Sequence, residues 1–170
     1  MTSDPQQAKQ PVSAALAGPY GHPFHPILVT VPIGAWVASL VFDLASRLVD
    51  DPDFLARGSM WLIAIGVLGA LAAAAIGLLD LLAIPTGTPA FRTGLVHMSL
   101  NLAVVLVFAV GFLWRRTGDG PHGAVSWGPL LLSVVALLAL AVSGYLGGKL
   151  VFRYGVRVAD ETTQASGFQR

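Results

Sequence analysis

The chain has 170 residues, of which 55% are hydrophobic and only 11% charged, with a formal net charge of +1. Soluble domains carry about 25% charged residues, so there is too little charge here to coat a globule in water. The absence of cysteine excludes disulfides and thiolate metal sites, and no basic run interleaves with aromatics as a nucleic-acid interface requires.

Residues 1–19 are rich in Gln, Ala, Pro and Ser and read as a disordered tail. "GHPFHPILVTVPIGAW" then sets two histidines between prolines and runs into the first of four apolar segments, at about 26–46, 60–84, 95–114 and 129–152. Each is close to the roughly 20 residues that cross a hydrocarbon core. Mostly polar sequence precedes the first segment and no small-residue cleavage site follows it, so it reads as a retained helix and not a signal peptide. The connectors "SRLVDDPDFLARGS", "PTGTPAFRTG" and "RRTGDGPHGAVSWG" are short and rich in Gly, Pro and Asp. After Val158, residues 159–170 read as a second disordered tail. No internal repeat stands out. The expected fold is all-α, an integral membrane antiparallel four-helix bundle over residues 20–158.

Four crossings put both termini and the middle connector on one side. That side carries Lys9, Arg92, Lys149, Arg153, Arg157 and Arg170, against Arg47, Arg57, Arg115 and Arg116 opposite. The bias predicts a multi-pass protein of the bacterial inner membrane with both termini cytoplasmic. Trp61, Trp114 and Trp127 fall at helix ends on the opposite side, where an interfacial aromatic belt is expected.

Ionisable groups in a membrane are costly and usually face the bundle interior. Antiparallel order places His22, His25, Asp80, His97, Asn101 and Lys149 near the terminal-bearing face, with Asp43 near the other. His97 and Asn101 share a face of the third helix, while Pro32, Trp36, Ser39 and Asp43 form a stripe on the first that reaches back to His25. Gly66, Gly69, Ala73 and Gly77 make a small-residue stripe that Asp80 continues, and Ser143, Gly144, Gly147 and Gly148 repeat small-xxx-small twice. Asp43 has Arg47 four residues on as a helical partner. Asp80 has no cation within a turn and is expected to pair with His97 or Lys149.

"HPFHPILVTVPIGAW", "FDL", "GLLDLLAIP", "RTGLVHMSLNL" and "SGYLGGKLVFRYGVRV" together resemble a bacterial four-helix membrane family known as domain of unknown function 2231. The resemblance covers roughly Tyr20 to Val158 and implies a four-pass inner-membrane module. Some members of that family carry fused Rieske domains, whose centre needs cysteines that this chain lacks.

The simplest readings are structural. "HPFHP" suits a proline-rich interfacial cap, His97 with Asn101 suits interhelical hydrogen bonding, and Lys149, Arg153 and Arg157 suit snorkelling anchors. His122 reads as a solvated loop residue. Two functional readings stand beside them. In the first, His25 or His22 joins His97 as the axial pair of a haem b in a redox or electron-transfer accessory module, with the glycines of the second and fourth helices making room. In the second, His22, His25, Asp80 and His97 form a divalent-metal or proton-relay site of a transport-related module. The remaining alternative is a scaffold or accessory subunit without cofactor. Expected partners are the lipid bilayer and a membrane redox partner or further copies of the chain. No nucleophile elbow, phosphate loop or HExxH motif marks a soluble enzyme, and no catalytic residue is assigned.

Overall fold

The computed structural model describes residues 5–13, 16–18, 21–117 and 122–169. Parts of both presumed tails, Tyr20, residues 118–121 of the third connector and Arg170 lie outside them. The described residues form helices and no strands: α1 (Phe24–Leu28), α2 (Thr30–Ala45), α3 (Asp53–Leu82), α4 (Pro89–Thr117), α5 (Trp127–Phe152) and α6 (Glu161–Ser166), with a 3-10 turn at Pro5–Lys9. α1 and α2 together, α3, α4 and α5 are each long and apolar enough to cross a membrane. These are the first to fourth spans, and they pack as a four-helix bundle.

The first span starts at Phe24, so His25 and Pro26 lie in its first turn, where a missing N–H costs nothing. It is interrupted at Val29 because Pro32 has no N–H to offer the Leu28 carbonyl. α3 and α4 begin six or seven residues before the apolar segments do. Thr88 Oγ1 accepts from Phe91 N at 3.1 Å and Pro89 opens α4, a cap that hydropathy does not register. The 30 residues of α3 extend about 45 Å, enough for the hydrocarbon core and both headgroup layers.

Around the bundle, α2 packs on α3 and α5, and α4 packs on α3 and α5. The first and third spans are therefore diagonal. They meet through long side chains: the rings of Trp36 and Phe108 stack at 4.2 Å and 11° in the centre of the core.

This arrangement is an internal repeat, contrary to the expectation from sequence. α2 buries Pro32, Ala35, Trp36, Ser39 and Asp43. Moving 72 positions along the chain gives Val104, Val107, Phe108, Gly111 and Arg115, all buried in α4 except the half-buried Val107. α3 buries Ser59, Met60, Ile63, Gly66 and Ala73 among others, and moving 70 positions gives Pro129, Leu130, Ser133, Ala136 and Ser143, the complete buried set of α5. Spans one and two thus superpose in role on spans three and four about an approximate twofold axis along the bundle. Parallel repeats of this kind are a common plan among membrane proteins. The contacts across the diagonal join equivalent positions: His25 with His97, Trp36 with Phe108 and Asp43 with Arg115.

At the terminal-bearing end, the segments flanking the bundle make contacts of their own. Ala8 is buried with Leu81, Ile84 and Val156, and Lys9 Nζ donates to Glu161 Oε1 at 2.7 Å. Gly155 takes a left-handed turn (φ 66) after α5, followed by Arg157 at φ 58. That strained conformation is held by Arg157 N on Ala8 O at 2.9 Å and Arg157 Nη2 on Leu16 O at 3.0 Å.

At the other end, Asp43 is fully buried and its partner is Arg115, not Arg47. Arg115 Nη2 lies 2.6 Å from Asp43 Oδ2 and donates to Ser133 Oγ at 3.2 Å, while Ser59 Oγ donates to Asp43 Oδ1. Arg47 instead donates to Val125 O at 2.7 Å and lies over the Trp127 ring at 3.9 Å. Asp43→Leu should therefore destabilise the bundle by about 3 to 5 kcal/mol, the cost of a buried charge left unpaired, and by more than Asp80→Leu, whose ion pair with Arg157 keeps more exposure. Because the two positions are equivalent and both serine hydroxyls can donate or accept, the exchange D43R with R115D should recover most of what either single substitution loses. Melting in detergent checks both; a double variant no better than the singles refutes the equivalence.

Candidate functional site

Two imidazoles occupy the terminal-bearing end of the bundle axis. His25 stands in the first turn of the first span, and His97 nine residues into α4. Their ring centres are 6.4 Å apart and nearly perpendicular, at 82°. His25 Nδ1 is 2.9 Å from Ala73 O of α3, and His97 Nδ1 is 2.8 Å from Ser143 O of α5. A carbonyl oxygen only accepts, so Nδ1 carries a proton in both rings. Each histidine thus comes from one repeat, and its anchor is the equivalent carbonyl of its own hairpin.

The glycine stripes explain how the rings fit. A Cβ built on Gly77 would lie 2.9 Å from two atoms of the His25 ring, and one on Gly147 would lie 3.1 Å from His97 Cε1. These equivalent glycines seat the imidazoles, so the space expected to accommodate a porphyrin is occupied by the histidines themselves. Gly69 faces Val31 and Pro32 in the same manner, and Gly66 faces Trp36. Close approach along the α3 stripe is therefore real. In α5 only half the small residues serve it: Ser143 and Gly147 face the bundle, while a Cβ on Gly144 would meet nothing.

The other expected members of the cluster go elsewhere. His22 Nδ1 lies 3.0 Å from Pro23 O, next to it in the chain. Asp80 Oδ1 pairs with Arg157 Nε at 2.9 Å, not with His97 or Lys149, because the turn after α5 brings Arg157 back over the end of α3. Lys149 Nζ sits 5.6 Å from the centre of the Tyr154 ring. Asn101 Nδ2 donates to His97 O at 2.9 Å and lies 3.2 Å from His97 Nε2, within one helix and not between two. Among the described residues no three His, Asp or Glu side chains are grouped to hold a metal ion. His122, read as a free loop residue, sits 3.0 Å from Asp53 Oδ2.

The sequence reading missed Ser143, Arg115 and Arg157 as partners. Only the first had a local signal: Ala73 and Gly77 are spaced as Ser143 and Gly147 are, 70 residues apart. Since the imidazoles fill the glycine seats, Gly77→Leu and Gly147→Leu should each lower stability by about 1 to 3 kcal/mol through overpacking. Gly144→Leu should leave it unchanged. Detergent melting separates them, and equal effects at all three positions would contradict the seating.

No curated protein and no solved structure matches this chain. A family model described as predicted membrane protein (DUF2231) matches residues 21–160, which include all four spans and both His25 and His97. The protein is a member of the DUF2231 family of predicted membrane proteins.

Proposed function

We propose that the protein is a small haem b module of the bacterial inner membrane, with His25 and His97 as the axial ligands and an electron-transfer role toward a membrane redox partner. One observation carries this reading: two imidazoles from equivalent positions face each other on the bundle axis, each with Nδ1 fixed by a main-chain carbonyl. A hydrogen bond of that kind is what orients a ligating histidine and leaves Nε2 for a metal. Bundles build cofactor sites from inward-facing side chains in this way.

Haem would supply one-electron chemistry. The chain's own residues position and insulate it. Ala73 O and Ser143 O hold the rings, Asn101 retains its bond to His97 O when Nε2 is taken, and the Trp36–Phe108 stack closes the axis below the site. With the glycine seats filled, the macrocycle would have to displace side chains around the two rings, because the Trp36–Phe108 stack and the Asp43–Arg115 pair hold the first and third spans together. His22, turned to Pro23 O, has no part in ligation on this reading.

The excess of cations on the terminal-bearing side, six against four, favours both termini in the cytoplasm. Reporter fusions after Arg57 should behave as periplasmic and after Arg157 as cytoplasmic, and the inverse pattern overturns the orientation.

Protein purified in detergent from haem-replete cells should show a visible band that sharpens on reduction. His97→Ala and His25→Ala should abolish it, and His22→Ala should retain it. Colourless protein with stoichiometric zinc would transfer the pair to a metal site, and colourless, metal-free protein would leave a scaffold.

A further inference from the structure

We infer that the outer face of the fourth span, at the terminal-bearing end, is a binding site for one anionic phospholipid, whose phosphate meets Lys149 and Arg153 and whose acyl chain lies along Gly144 and Gly148. An open groove of about 430 Å³ runs there, lined by Tyr145, Gly148, Lys149, Phe152 and Arg153. The two cations are four residues apart on one helical face, at the headgroup end of the span. Among the described residues neither forms an ion pair with a carboxylate. Basic pockets at this depth are where anionic headgroups are held.

The glycines add an independent argument. A side chain on Gly144 would meet nothing and one on Gly148 only Phe152 of the same helix, so neither glycine serves helix packing, unlike Gly147. Glycine inside a helix costs stability relative to alanine, and here no neighbouring helix offsets it. The two residues instead leave a furrow bordered by Tyr145 and Phe152, which are 74% and 91% exposed. The repeat sharpens the point. At the equivalent positions the chain carries Ala74, Leu78 and Leu79 in α3 and, just past its end, the buried Ala83. Glycine and cation appear only in the second copy, where bundle packing does not require them.

A second copy of the chain is the competing occupant, since Gly-xxx-Gly is also a helix-pairing pattern. Parallel pairing through Gly144 and Gly148 would bring Lys149 and Arg153 of both copies together, and like charges at the seam oppose it. An anionic headgroup is attracted by the same two groups.

The test uses the full chain in a zwitterionic detergent, with phosphatidylglycerol, phosphatidylcholine of the same acyl chains, or inorganic phosphate added. Phosphatidylglycerol should raise the melting temperature by a few degrees and remain bound one to one in native mass spectrometry, while the other two do neither. K149Q with R153Q should lose the shift without lowering the lipid-free melting temperature. G148L should lose it with both cations intact. The site is refuted if phosphatidylcholine or phosphate matches phosphatidylglycerol, if the shift survives the double substitution, or if the protein is a dimer that G148L converts to a monomer.

Discussion

In lipid, an apolar helix gains nothing by leaving acyl chains for another apolar helix, so a bundle is held by close approach and by polar contacts that must be completed inside it. The buried Asp43–Arg115 pair is that constraint in its strongest form. Neither charge has an outlet: the side chains are 0% and 5% exposed, and each depends on the other and on Ser59 and Ser133 from the two remaining spans. All four spans contribute to the one network. Once it forms, the axial rotation of every helix is set, and the stripes that meet higher up the axis are fixed with it.

What meets there depends on glycine. Trp36 lies over Gly66 with its indole N–H on Ile63 O at 3.3 Å, and stacks on Phe108 from the opposite repeat. Beyond the stack, about 27 Å from Asp43 along the helix by residue count, the axis ends in the two histidines. The two ends differ in access. The ion-pair end is sealed, whereas both imidazoles are only half-buried and Arg157 lies over the rim with Asp80.

Much of this was legible in the residues. Hydropathy gives the four spans, helical phase gives the stripe from Pro32 to Asp43, and antiparallel order puts His25 and His97 at one face. The failures share a cause. Asp43 has Arg47 one turn away, but an exposed arginine with a nearby carbonyl and indole has no need of a buried carboxylate. Arg115 is 72 residues distant and invisible to local spacing. Asp80 likewise finds its cation beyond the end of α5, because the left-handed turn at Gly155 folds the chain back. The repeat is hidden from local reading because its copies agree in burial and not in identity, and because the offset slips from 72 to 70, the second hairpin having two fewer residues between equivalent positions of its helices.

The way the copies diverge separates packing from chemistry. Across the axis, Trp36 faces Phe108, which is enough for a stack, and Asp43 faces Arg115, which a symmetric pair of identical hairpins could not provide because like would meet like. The same freedom turns Ile63 into Ser133 and Gly66 into Ala136 at matching depth. Histidine faces histidine. A packing contact needs only complementary volume and an ion pair needs opposite charge, so either can be met by unlike residues. The seats match as well, since Gly77 and Gly147 are alike and the carbonyls of residues 73 and 143 take equivalent bonds from the two rings. At Asp80 and Leu150, by contrast, the equivalent positions share nothing.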